Sequence, residues 1–265
     1  VALVFPKFLL NTPEFSTTRA ELAQKSVDAI LDFGEKGFPG ILVETIAIFI
    51  NNLAAPANTK VFSLTHRLHL TQPQAYIFDP ELPYWIIYRN QLFDSVCRKL
   101  DFDVFEVFRD RQLTNKLLSS SGELRVLKSR NLSDDGKEIL DIPGYDSYIS
   151  YAAAKPLSVF QYLDAPNVYL TPNMTYKPRM MKKPPHCVVN GSLAILIPKG
   201  GIVPTEKQLA YFSSEEYRAF YQIARNFQTR SLNVDACSVF FYGLLRDEAK
   251  PAPEKFDTSV QLSFL

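Results

Sequence analysis

Cysteine is scarce and odd in number: Cys97, Cys187 and Cys237 are the only three in 265 residues. Without metal-type spacing or even pairing they exclude a disulfide framework and fit a reducing compartment, so a cytoplasmic location is expected and each thiol reads as an ordinary semi-buried side chain. Long hydrophobic runs are lacking too. The longest, residues 41 to 50, is interrupted by Glu44 and falls well short of the roughly 20 residues of a membrane helix. No membrane partner is expected. The opening VALVFPKFLL has neither the basic lead nor the cleavage site of a secretory signal, and it lacks a starting methionine. The chain therefore reads as part of something longer.

Motifs that carry chemistry are thin. No Gly-x-Gly loop joins a strand to a helix, and Gly40, Gly200 and Gly201 stand isolated in turns, so no nucleotide or methyl-donor cradle can be placed. His66-x-x-His69 has no companion at ligand spacing, which favours a structural or surface role and leaves no metal site. Asp235 with Glu248-x-Lys250 loosely imitates a nuclease carboxylate cluster, yet the last two fall in a charged tail. No catalytic residue is assigned.

Hydrophobic residues make up 46% of the chain and aromatics 13%, ample for real cores. The first fifty residues alternate strand-like VALVF, a helical stretch from Pro13 to Lys25, strand VDAILDF, the turn GEKGFPG, and strand ILVETIAIFI, the pattern of an α/β layer. Three strands and one helix cannot cover a doubly wound sheet, which predicts a missing portion that completes it. Residues 51 to 83 carry several prolines and read as a connector with one strand pair around VFSLTHRLHL. The spacing of Trp85, Tyr88, Leu92 and Val96 predicts a helix from Tyr84 to Arg98. Short strands with polar turns follow, then a helix in SSEEYRAFYQIARNFQT capped by Ser213 and Ser214, a strand in VDACSVFFYGLL, and a poorly ordered tail from Lys250.

The net charge of +1 averages over unlike halves, for sixteen Lys and Arg face ten Asp and Glu between Arg111 and Arg230. That modest basic bias suits a polyanion partner. Four loop clusters mix basic and amide side chains: Arg109, Arg111, Gln112 and Asn115; Lys128, Arg130 and Asn131; Tyr176, Lys177 and Arg179, followed by Lys182 and Lys183; and Arg225, Asn226, Arg230 and Asn233. Arg, Gln and Asn are the residues whose forked donors and acceptors match guanine and adenine edges in the major groove, while Lys anchors phosphate. The bland reading remains for several of them. Lys182 and Lys183 can be a solvated face, Arg225 can serve a helix terminus, and Asn190 before Gly191 is first a turn residue.

The segment VALVFPKFLLNTPEF…TRAELAQKSVDAILDFGEKGFPGILVETIAIFI resembles the last third of the catalytic fold in bacterial N6-adenine DNA methyltransferases of restriction-modification systems. The likeness lies in a strand ending in Pro, a helix with Arg19-Ala-Glu-Leu22, and a strand entering the Gly34 to Phe38 turn. From about Tyr84 the chain resembles the target-recognition domains of those enzymes and of type I specificity subunits, through FRDRQLTNKLL, NMTYKPRMMKKPPHCVVNGSLAILIP and YFSSEEYRAFYQIARNFQTRSLNVDACSVFFYGLL. Neither the methyl-donor loop nor the Asn-Pro-Pro-Tyr loop of that family is present. Pro184-Pro185-His186 does not replace the latter, lacking a preceding Asn, Asp or Ser and the aromatic.

The resemblance implies α/β with α+β: an incomplete Rossmann-like methyltransferase sheet in residues 1–55, a connector at 56–83, a mixed α+β target-recognition domain at 84–250 and a tail at 251–265. It implies Phe38 as the ring that stacks on a flipped adenine, weighed evenly against a core role. The expected partners are double-stranded DNA, the absent catalytic half and a cognate restriction endonuclease. S-adenosylmethionine would belong to the parent enzyme, with no cofactor in this chain. The alternative is a non-enzymatic DNA specificity subunit of a type I-like complex.

Overall fold

An unbroken apolar run, ALVFP, makes the first strand, and alternating burial along SVDAILDFG makes the second, since period two turns successive side chains to opposite faces. In the computed structural model, which describes residues 1–38, 40, 42–229 and 233–246, β1 (Ala2–Pro6) is followed by α1 (Ser16–Ala23), β2 (Ser26–Gly34) and β3 (Thr45–Asn51). Arg19 of α1 is buried and donates to the carbonyls of Leu9 and Thr12 at 2.8 and 2.7 Å, fixing the link between β1 and the helix. β3 starts at Thr45 rather than at residue 41, because Glu44 turns inward to an ion pair while Leu42 and Val43 stay exposed.

Residues 56–83 are not a connector. They supply β4 (Asn58–Ser63), β5 (Leu68–Pro73) and α2 (Gln74–Ile77), and the sheet runs β1-β3-β2-β4-β5, parallel only between β2 and β4. Inward Thr59, Val61 and Ser63 give β4 a strict alternation, and Gln74 locks α2 in place by accepting from Val27 N at 2.8 Å and donating to the Lys25 carbonyl at 2.8 Å. The helix expected from Tyr84 begins at Gln91 instead, as α3 (Gln91–Lys99). Tyr84 to Tyr88 are all buried, a run with no polar face for a surface helix to show to water, and Asn90 caps α3 through Phe93 N at 3.0 Å.

The chain divides into two units, the first holding 1–99 and, among described residues, 222–229, the second 100–221 and 233–246. The second unit contains β6 (Leu100–Asp101), β7 (Phe105–Phe108), β8 (Leu124–Leu127), β9 (Ser147–Ile149), α4 (Tyr151–Ala154), β10 (Tyr169–Pro172), β11 (Met181–Lys182), β12 (Cys187–Val189), β13 (Leu193–Pro198) and α5 (Glu206–Tyr211). α6 (Glu215–Ala224), with Ser214 accepting from Tyr217 N at 3.1 Å, and β14 (Leu244–Leu245) complete the elements. An antiparallel sheet β11-β10-β13-β7 and a sheet β12-β8-β9 enclose one core of Val126, Leu127, Val188, Leu193 and Ile195. Phe212, Tyr217, Phe220, Tyr221, Phe241 and Tyr242 form an aromatic cluster beside it, with ring centroids such as Phe212–Tyr217 4.8 Å apart. The expected strand VDACSVFFYGLL is strand only at Leu244–Leu245 and holds a 3-10 turn at Ser238–Phe241, where the Asp235 carboxylate takes the Cys237 and Ser238 N–H groups at 3.1 and 2.8 Å. The fold is thus mixed α and β, with mixed sheets in both units. No helix among the described residues is long and apolar enough to cross a membrane.

The return of the chain to the first unit is built from side-chain amides. Asn226 accepts from Ile87 N at 2.9 Å and donates to the Trp85 carbonyl at 2.7 Å, while Gln228 pairs with Asn11 at 2.7 Å. Asn226 and Phe227 both have φ of 50°, so α6 ends in two left-handed residues. The tail from Lys250 lies outside the described residues.

Candidate nucleic-acid interface

Strand direction alone gathers the polar loops. Phe108 pairs with Ile195, Pro172 with Leu193, and Leu127 with Val189 in the parallel β8–β12 pair. The carboxyl ends of β7, β8, β10 and β12 and the start of β13 therefore lie at one end of the second unit. The loops leaving there carry Arg109 to Asn115, Lys128 to Asn131, Tyr176 to Arg179 and the three-residue link Asn190-Gly191-Ser192. Three of the four expected clusters, with Asn233 of the fourth, meet at this end.

Asn173, which sequence reasoning missed, is the hub. It is buried, donates to the Gly191 carbonyl at 3.0 Å and to Asn233 Oδ1 at 2.9 Å, and accepts from Arg109 Nη1 at 3.3 Å. The available signal was an Asn directly after a strand-ending Pro, too common to single out. Asn190 serves the turn, as a residue before Gly should, accepting from Ser192 N at 3.0 Å. Asp110 accepts from Gln112 N and Leu113 N at 3.3 and 2.8 Å and so shapes the Arg109 loop.

A Cβ on Gly191 would sit 2.6 Å from the Asp110 carbonyl oxygen. Gly191→Ala should therefore displace the 109–115 loop, lower stability by about 1–3 kcal/mol and speed amide hydrogen exchange in that loop. Unchanged exchange there would refute the close approach.

Burial separates the cluster members. Arg111, Gln112, Asn115, Arg130 and Lys177 are exposed and Tyr176 is half-exposed, while Arg109 and Lys128 are half-buried. Gln112 accepts from Ser158 N at 2.7 Å, and Lys177 pairs with Asp134 at 3.1 Å. Burial lowers the proton affinity of Arg109, and Arg111 beside it lowers it further. Lys128 is lowered in the same way by burial and by Arg130, against the pull of Asp146. Positive charges crowded in two places on one end of a unit suit an anionic ligand.

Asn131, Arg179 and Arg225 are placed elsewhere than at a reading surface. Asn131 is fully buried, accepting from Lys128 N at 3.0 Å and donating to the Leu140 carbonyl at 3.0 Å and to Asp146 at 2.6 Å. Arg179 is 8% exposed and spends its terminal nitrogens on the carbonyls of Lys177, Ser129 and Leu132, pinning one loop to the next. Lys183 is buried on the carbonyls of Leu163 and Pro184. Arg225, 2% exposed, lies in the first unit with Nη1 3.4 Å from the Tyr84 hydroxyl. Forked donors satisfy buried carbonyls as readily as base edges, which is why composition placed these residues with the readers. Arg230 lies outside the described residues.

In the first unit Phe38 is 47% exposed in the turn after β2 and is not part of the core. His66 and His69 sit on the β4–β5 hairpin, His66 tilted against Phe227 at 4.8 Å and His69 stacked on Phe62 at 4.4 Å. No group of three His, Cys, Asp or Glu suited to a metal ion occurs among the described residues. All three cysteines are free, and burial pushes the Cys97 thiol up to about 12, leaving it protonated and inert at neutral pH. The chain matches no known protein-family model and no curated protein sequence.

Proposed function

We propose that this chain is the DNA-recognition part of an N6-adenine DNA methyltransferase of the restriction-modification kind. The observation that carries the reading is the convergence of basic and amide loops at one end of the second unit, on a rigid frame of β-strands. Arg111, Gln112, Asn115, Arg130, Tyr176 and Lys177 form the solvent-facing set, with Arg109, Lys128 and Asn233 behind them. Exposed forks would read base edges in the major groove, and lysines would anchor phosphates.

The first unit supports the same reading. β3 lies antiparallel between β1 and β2, and β1 closes the sheet as an edge strand exposing Leu3 and Val4. Such an apolar edge suits the incomplete Rossmann-like sheet, on which a catalytic portion holding S-adenosylmethionine would continue. The exposed ring of Phe38 suits stacking on an extruded adenine better than a core role. Neither methyl-donor loop nor Asn-Pro-Pro-Tyr loop is in the sequence, so this chain by itself binds and positions.

Fluorescence anisotropy on mixed-sequence duplexes tests the reading. Binding should weaken with salt with a logarithmic slope of about −0.9 per phosphate neutralised. Arg111→Ala should lower affinity while unfolding shifts by no more than about 0.5 kcal/mol, as expected of an exposed side chain. Absent or salt-independent binding would overturn the proposal. So would methyl transfer from radiolabelled S-adenosylmethionine by the 265-residue chain unaided.

A further inference from the structure

We infer that Arg130 is a specificity-determining reader and that it selects a guanine; the inference rests on the duplex-binding reading above. Its surroundings form a built platform. Ile142-Pro143-Gly144-Tyr145 closes a turn with Tyr145 N donating to the Ile142 carbonyl at 3.0 Å and Gly144 at φ 76°, which presents the Tyr145 ring at a fixed angle. The next residue, Asp146, locks the turn from beneath. It accepts from Ile142 N at 3.0 Å, from buried Asn131 at 2.6 Å and from Arg125 at 3.0 Å.

Two cations lie over the ring. Lys128 Nζ is 3.9 Å from its centroid and also donates to the Tyr145 carbonyl and, at 3.0 Å, to Ser147 Oγ. The Arg130 guanidinium is 4.7 Å from the same centroid and is exposed at the converging loops. Lys128 is thus committed to the scaffold, whereas Arg130 is held by an aromatic face that uses none of its five N–H donors.

That combination distinguishes Arg130 from the other basic residues nearby. Lys177 and Arg125 are held by carboxylates, and Arg179 spends its terminal nitrogens on carbonyls. An exposed guanidinium held against an aromatic face keeps its N–H donors for a ligand and loses less freedom in making two parallel hydrogen bonds. Guanine, with O6 and N7 as adjacent acceptors in the major groove, is the base that takes them. Asn131, read from sequence as a base contact, acts instead as the strut under this platform.

The test is selection from a randomised duplex library by the full chain, followed by sequencing of the bound fraction. Wild type should enrich a motif with at least one G·C pair. Arg130→Ala should keep the rest of the motif and lose discrimination at a single G·C position by about ten- to a hundredfold. Tyr145→Phe, which keeps the ring, should select as wild type does, and Tyr145→Leu should weaken the same position only. Matching circular dichroism spectra control for folding. If Arg130→Ala selects the unaltered motif, Arg130 is not the reader although the unit still reads DNA. If wild type enriches no duplex, the DNA-recognition reading fails and this inference with it.

Discussion

Lys7→Met should unfold the first unit more easily by about 3–5 kcal/mol, the scale for removing one partner of a buried ion pair. Lys7 is 1% exposed, with Nζ 2.7 Å from Asp32 Oδ2 and 3.7 Å from Glu44 Oε1, and Asp32 is itself fully buried. Tyr88 hydroxyl donates to Asp32 at 2.5 Å and Gly34 N to its other oxygen at 2.9 Å. These bonds hold the Asp32 carboxylate in place but do not cancel its charge, so without the ammonium that charge is left in a dry site. Against the 5–15 kcal/mol that stabilises a typical domain, the loss is severe. Trp85 is the sole tryptophan, buried and stacked 3.7 Å from Phe78, so its fluorescence reports on this unit during urea unfolding. Lys7→Met with Asp32→Asn should recover part of the loss by removing a stranded charge. A single variant within about 1 kcal/mol of wild type would contradict this account.

Asn226→Ala should cost a comparable amount for a different reason. The side chain satisfies Ile87 N–H and the Trp85 carbonyl, both inside the buried Tyr84–Tyr88 run, and alanine leaves both groups unpaired at about 1–3 kcal/mol each. Backbone φ at 226 is 50°, a region asparagine tolerates and alanine enters at a cost of about 1–2 kcal/mol. The two contributions separate experimentally. Asn226→Gly abolishes the same hydrogen bonds but not the backbone freedom, so it should fall about 1 kcal/mol short of the alanine loss. Equal losses in the two variants would show that backbone conformation contributes nothing. Trp85 fluorescence again supplies the readout.

Local elements near the amino terminus were legible because their signals are local: the apolar run VALVF, the alternation in VDAILDF and the helix between them lie where a short window of sequence puts them. The β4–β5 pair was visible, but its membership in the sheet was not, since that depends on β2 pairing in parallel with β4 across a separation that no window spans. The helix boundary at Asn90 was lost because Tyr84 to Tyr88 imitate a helical face while being buried throughout. At the candidate site, residue type identified the converging loops but not which of their side chains face solvent. Arg130 and Arg179 have similar neighbours in sequence, and only the carbonyls of Ser129 and Leu132 decide that one is buried and the other free to face solvent. Asn173 and Tyr145 escaped notice because each acts through residues brought near by folding.

Because residues 222–229 belong with 1–99 while 233–246 belong with 100–221, the two units interleave along the sequence rather than following end to end. The first unit cannot finish folding during synthesis until Gln228 has emerged to meet Asn11, 217 residues earlier in the chain. It follows that a fragment ending at residue 99 would expose the groups that Asn226 covers. Moving the second unit intact would accordingly require carrying two stretches of chain together, 100–221 and 233–246, because β14 of the later stretch pairs with β6 at the start of the earlier one.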